Sequence, residues 1–260
     1  MIRIGTSGFS YDDWHGSFYP ESLKPGDRLA FYAQHFSTVE INTTYYRQPD
    51  PGLFYHFVRR TPDDFCFVVK AYRGLTHERE EATPEAFRQF VEALAPLQQA
   101  GKFGCLLAQF PWSFQPTAAN RAYLEYLRGQ LGDLPVVVEF RHAGWVTDET
   151  LDLLRHLGLG FCCVDEPRLR GLLPPVAAVT APTAYVRFHG RNAAKWWTHD
   201  EAWERYNYLY SESELAEWTP RIRSLAAQAD TTYVIFNNHY RSQAVRNAQQ
   251  MAQQLELDLP

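Results

Sequence analysis

Sulfur is scarce in this sequence, with four cysteines and two methionines among 260 residues. Cys66, Cys105, Cys162 and Cys163 all sit in apolar runs, and no two are spaced as C-x-x-C. This argues against a zinc or redox site built from them and reads as reduced core thiols of a cytoplasmic protein. No apolar run approaches the roughly 20 residues needed to cross a membrane. Met1-Ile2-Arg3-Ile4-Gly5 already reads as a strand, with no signal-peptide pattern, so no membrane partner is expected. Positive charge is not in excess: 25 Lys and Arg against 30 Asp and Glu leave a net charge of -5. That balance argues against a broad basic surface for nucleic acid, while leaving room for a local cluster of cations. The sequence also lacks a P-loop, a G-x-G-x-x-G after a strand, a G-x-S-x-G elbow and an H-E-x-x-H pair, and no cofactor is predicted.

What is present has a regular period. Apolar, β-branched runs recur at Ile2–Gly5, Thr38–Ile41, Phe65–Lys70, Gly104–Phe110, Val136–Phe140, Gly160–Asp165, Ala184–His189 and Tyr233–Asn237. Most are continuous rather than alternating, as parallel strands covered on both faces should be. Helical patterns lie between them. One starts at Thr83-Pro84 and is expected to end at Gly101, and others span 117–131, follow the cap Thr147, and span 243–255. Pro220 should kink or restart another at Thr219. Strand and helix repeated this way predict an α/β fold: a TIM-like (β/α)8 barrel forming one domain over 1–260, with an open doubly wound sheet as the alternative.

The strand tails carry the chemistry. They end in Glu40 and Asn42 with Tyr45 close behind, in Lys70, in Gln109, in Glu139 and Arg141, in Asp165-Glu166, in Arg187 and His189, and in Asn237-Asn238. A barrel gathers all of these at one rim, where barrel enzymes keep their sites, although strand ends also turn polar simply on reaching solvent. Glu139 and Arg141, like Arg187 and His189, are two residues apart and so point to the same face. Lys70, Arg141 and Arg187 read either as a clamp for an anionic group or as partners of the neighbouring carboxylates. Glu139 and Asp165 are candidate acid and base, and His189 a candidate proton shuttle. Glu40, Asn42, Tyr45, Gln109, Asn237 and Asn238 are candidate substrate-binding groups. A metal-independent site is expected because the cations oppose a metal, and a divalent ion is kept as the lesser alternative. Gly5-Thr6-Ser7-Gly8-Phe9-Ser10 reads as an anion-wrapping loop or an ordinary tight turn. The aromatic segment Lys195-Trp196-Trp197-Thr198, with Trp203, Tyr206, Tyr208 and Tyr210, reads as a pocket wall or as packing against the barrel.

Taken together, several of these segments resemble the YecE-like family, known as domain of unknown function 72. They are Gly5-Thr6-Ser7-Gly8, Tyr11, Trp14, Val39-Glu40-Ile41-Asn42-Thr43-Thr44-Tyr45-Tyr46, Gln109-Phe110-Pro111, Val138-Glu139-Phe140-Arg141-His142 with Trp145, Tyr185-Val186-Arg187-Phe188-His189-Gly190 and Phe236-Asn237-Asn238. The resemblance covers nearly the whole chain. It implies a TIM-like barrel in a bacterial or archaeal cytosolic protein and no settled reaction. The family has been likened to sugar-isomerase and endonuclease-IV-type barrels. Those relatives use metals held by His and acidic ligands, whereas this sequence has Arg and Lys at several comparable strand ends.

The functional expectation is an enzyme, a hydrolase or isomerase, acting on a small anionic or phosphorylated, sugar-like compound by acid/base chemistry at the rim. The alternatives are a nucleic-acid-binding or phosphodiester-processing protein and a non-catalytic metabolite-binding protein.

Overall fold

The computed structural model describes residues 1–260, the side chain of Ala202 excepted. Each apolar run becomes a strand: β1 (Ile2–Thr6), β2 (Thr38–Ile41), β3 (Cys66–Lys70), β4 (Phe103–Gln109), β5 (Val136–Glu139), β6 (Gly160–Asp165), β7 (Thr183–Phe188) and β8 (Thr231–Phe236). Their order is β1-β8-β7-β6-β5-β4-β3-β2 and every paired neighbour is parallel. Strands β2, β5 and β6 are buried at every position, because helices cover one face and the barrel interior the other.

Only a single bridge, Ser7 to Glu40, joins β1 to β2, and the Gly8 amide donates to the Glu40 carbonyl at 2.8 Å. Gly5 permits this approach. A Cβ there would stand 2.2 Å from the Thr38 carbonyl oxygen, so any side chain would force the strands apart. The ring therefore closes as a (β/α)8 barrel, and the open-sheet alternative falls. The same bonds resolve the loop after β1. The Ser7 and Gly8 amides are taken by the Phe236 and Glu40 carbonyls, so these two N–H groups are not free to wrap an anion.

The helices follow their caps. Thr83, Thr117 and Thr147 each accept a backbone N–H at a helix start, and helix Thr219–Gln228 begins where Pro220 required a restart. One helix departs from expectation. The segment expected to run to Gly101 breaks at Leu94, because Pro96 lacks an N–H and its ring crowds the preceding turn. Helix Pro84–Ala93 ends there and a short helix, Ala95–Gln99, follows. All four cysteines are buried and free. Among the described residues no helix is long and apolar enough to cross a membrane.

Candidate functional site

Alternation along the strands sends Glu40, Glu139 and Arg187 into the barrel, and they meet near its C-terminal mouth. Arg187 lies between the two carboxylates. Its Nη2 is 2.6 Å from Glu40 Oε1 and its Nη1 is 2.6 Å from Glu139 Oε2. Glu40 also accepts from the Ser7 hydroxyl at 2.6 Å and from the Tyr185 hydroxyl at 2.7 Å. Glu139 Oε1 is 2.6 Å from Arg141 Nε and 3.0 Å from His189 Nε2, while His189 Nδ1 is 3.0 Å from Asn237 Nδ2. A neutral imidazole protonated on Nε2 satisfies both contacts: it donates to Glu139 and accepts from the Asn237 amide.

Burial alone would raise the pKa of Glu139, but Arg141, Arg187 and His189 outweigh it and hold the group well below the usual carboxylate range. Burial, helped by the charge of Arg141, lowers His189 to about 3. Glu139 is thus a fixed anion and His189 a fixed neutral ring, both with no exposed surface. They form the floor under the mouth, whereas the sequence reading put Glu139, with Asp165 as its acid/base partner and His189 as shuttle, at the rim itself.

Above this floor opens a cavity of about 350 Å³, lined by Tyr45, Tyr46, Lys70, His77, Gln109, Pro111, Trp112, Arg141, Leu172, Trp196, Trp197, Arg205 and Tyr206. Four of the sequence-predicted residues line it directly: Tyr45, Lys70, Gln109 and Arg141. Gln109 donates to the Phe110 carbonyl at 2.7 Å. Beyond the Glu139 pairing, Arg141 Nη1 stands 3.5 Å from Glu166 Oε2. Lys70 Nζ lies 4.4 Å from the centre of the Tyr45 ring, an ammonium–aromatic contact. Burial, then the charge of Arg187, lowers Lys70 to about 7 against the opposing pull of Glu40 and Glu139. Burial, then Lys70 and Arg141, lowers His77 to about 4. The aromatic segment after β7 does both things foreseen for it. Trp196, Trp197 and Tyr206 wall the cavity, while Tyr210 packs edge-on against Phe188 of β7 and Phe236 of β8.

Asn42 sits to one side. It donates to Ser7 Oγ and lines a neighbouring groove of about 570 Å³ that shares Tyr46 with the main cavity. Two predicted residues stand apart altogether. Asp165 is turned out of the barrel, where Arg191 clamps it with two bonds of 2.8 Å and it accepts from Tyr210 at 2.8 Å and from Trp218 at 2.7 Å. Its neighbour Glu166 faces inward instead. Burial raises Glu166 to about 7 despite Arg141 and a bond from the Leu173 amide. Asn238 likewise serves the scaffold, donating to the Tyr208 carbonyl and to Asn247. At both tails adjacent residues point oppositely, so Glu166 and Asn237 face inward while Asp165 and Asn238 face the scaffold. His77, Trp112 and Arg205 escaped the sequence reading because they come from loops with no period to place them. Among the described residues no group of three or more His, Cys, Asp and Glu side chains is arranged to hold a metal ion.

A ligand-sized hollow at the C-terminal strand ends, above a buried ionic floor, places the protein among the (β/α)8 barrels whose loops build a pocket there. Within that class the chain belongs to the DUF72 family, as the family model "Protein of unknown function DUF72" matches residues 3–259. It is 33% identical to UPF0759 protein YunF of Bacillus subtilis over 273 residues, covering 99% of this chain and 96% of that protein. A DUF72 family protein of Thermotoga maritima is similar in structure, with a TM-score of 0.91 at 43% identity over 98% of this chain and 99% of that one. A DUF72 family protein of Enterococcus faecalis has a TM-score of 0.90 at 32% identity, over 99% of this chain and 96% of that one. The resemblance read from the sequence therefore holds along the length of the chain.

Proposed function

We propose that the protein is an enzyme that holds a small anionic compound, phosphorylated or sugar-like, in the mouth cavity and acts on it by proton transfer. The observation that carries this reading is the charge arrangement of the cavity. Lys70, Arg141 and Arg205 line it, while the nearby carboxylates of Glu40 and Glu139 lie beneath it and are engaged by Arg187. Arg141 spends Nε on Glu139 and Nη1 on Glu166, but Lys70 and Arg205 pair with no carboxylate among the described residues, so the wall has cationic donors to spare for an anion. Arg141 offers a planar fork suited to phosphate or carboxylate. The rings of Tyr45, Trp112, Trp196, Trp197 and Tyr206 give flat apolar faces for the body of the ligand.

Proton movement in this reading passes from Glu139, Asp165 and His189 to Lys70, whose lowered pKa of about 7 suits exchange near neutrality. Glu139, 2.6 Å from Arg141 Nε, holds that guanidinium in place. A melting-temperature screen with sugar phosphates, organic acids and short oligonucleotides tests the proposal. Sugar phosphates or organic acids should raise the melting temperature of the parent protein, and Arg141→Gln should abolish the rise. A rise that survives Arg141→Gln, or one given by oligonucleotides alone, would count against this site.

A further inference from the structure

We propose that Lys70 is a covalent catalyst, its amine condensing with the carbonyl carbon of an anionic aldehyde or ketone in the mouth cavity to form an imine. The inference rests on the anion-binding reading above and narrows its substrate class to 2-oxo acids and phosphorylated carbonyl compounds, open-chain sugar phosphates included.

The chain has four lysines, and their surroundings differ sharply. Lys24 is exposed. Lys102 donates to the carbonyls of Val58 and Thr61 at 3.1 and 2.8 Å. Lys195 pairs with Glu204 at 2.6 Å. Lys70 ends a barrel strand and lines the cavity, and among the described residues its Nζ has neither a hydrogen-bond acceptor nor a carboxylate within ion-pair distance. The carboxylates that would have neutralised it, Glu40 and Glu139, are engaged by Arg187. Lys70 is half-buried, so its amine meets the cavity itself, whereas a lysine serving only the scaffold takes a protein partner, as Lys102 and Lys195 do. An amine that must attack a carbon has to keep its lone pair free, and burial beside other cations is how a protein arranges that. The lowered pKa of Lys70, about 7, agrees with this placement.

The chemistry balances without any further reagent. The nitrogen lone pair forms a bond to the carbonyl carbon, and the π electrons move to the oxygen, which takes up a proton. The resulting carbinolamine expels that oxygen as water. Both hydrogens of the neutral amine leave in the water, and a C=N bond replaces the C=O bond. His77, a neutral ring on the same wall whose Nδ1 is 2.9 Å from Thr76 Oγ1, relays protons between nitrogen and oxygen. Protonated, the imine is a cation over the Tyr45 ring, whose face lies 4.4 Å from the amine today. Arg141 and Arg205 receive the anionic group, which sets the carbonyl toward Lys70.

Reductive labelling of the full-length protein tests this. With formaldehyde and cyanoborohydride at about pH 7, followed by peptide mass mapping, Lys70 should be methylated about tenfold or more faster than Lys24, given its larger fraction of neutral amine. With pyruvate or dihydroxyacetone phosphate and borohydride, one adduct should form on Lys70, and none on a Lys70→Gln variant that melts like the parent. Labelling of Lys70 no faster than that of Lys24 overturns the proposal. If pyruvate or dihydroxyacetone phosphate raises the melting temperature but leaves no adduct, the imine is wrong and the anion-binding reading survives. Fast labelling with formaldehyde, with no rise in melting temperature from any anion, removes the anion-binding reading and this inference with it.

Discussion

Arg187 and Lys70 reach toward the same barrel mouth, but Arg187 lies 2.6 Å from each of two buried carboxylates and Lys70 pairs with none. This uneven sharing organises the site. It makes the Glu40–Arg187–Glu139 group a buried ionic floor and leaves Lys70 a half-buried, unpaired amine with a lowered pKa. Charges taken out of water this completely are stable only as a set.

Arg187→Met should therefore be severe. It leaves Glu40 and Glu139 buried without their shared cation, and removing one partner of such a set costs about 3–5 kcal/mol. Urea unfolding of the variant against the parent measures the loss. A change within about 0.5 kcal/mol, the range of ordinary surface substitutions, would mean the triad is not the keystone described here.

Glu166 gives a pH signature. Burial raises its pKa to about 7 in the folded protein, above the unfolded value of 4.5. Between those values the folded state binds more protons than the unfolded one, so stability falls as pH rises. The contribution is full below about pH 4.5 and gone above about pH 7, and amounts to about 3 kcal/mol. Glu166→Gln should remove this slope, so the parent should lose melting temperature relative to the variant across the window. Parallel curves for the two proteins would refute the assignment.

Asp165→Asn separates scaffold from site. The substitution weakens the clamp of Arg191 and disturbs the bonds from Tyr210 and Trp218, all outside the cavity. Stability should fall by about 3 kcal/mol. The dissociation constant of any anion found in the screen should stay within about twofold. A large loss of affinity in a well-folded variant would return Asp165 to the site.

Gly5→Ala tests ring closure. The added methyl carbon meets a backbone oxygen, the Thr38 carbonyl at 2.2 Å, which cannot rotate away. Overpacking against main chain should cost about 3 kcal/mol or more, read as a lowered urea midpoint. A neutral result would show that β1 and β2 are free to separate.

The architecture was legible because all eight strands are apolar runs, a signal that needs no knowledge of partners. Period-two alternation also foretold that Glu139 and Arg141, and Arg187 and His189, would share a face. The same rule was insufficient at β6, where Cys162 and Cys163 are alike and give no anchor for deciding whether Asp165 or Glu166 points inward. The contact of Cys162 Sγ with Glu139, at 3.9 Å, settles it for Glu166. Nor could spacing reveal which acid Arg187 would take, because that depends on strands that are neighbours only in space. The missing partner of Lys70 follows from that choice, so the most chemically suggestive feature of the site was also the least readable in one dimension.

The seam beside Gly5 has a consequence for biosynthesis. β1 gains its main-chain ladder from β8, with Ile2 to Thr6 in register with Thr232 to Phe236, and has only one bridge to β2. Within the barrel, β1 is made before β8 and must therefore wait for it before being secured. Until then Glu40 lacks the settled Ser7 hydroxyl that completes its shell, so a nascent chain halted short of residue 231 would carry an unfinished mouth.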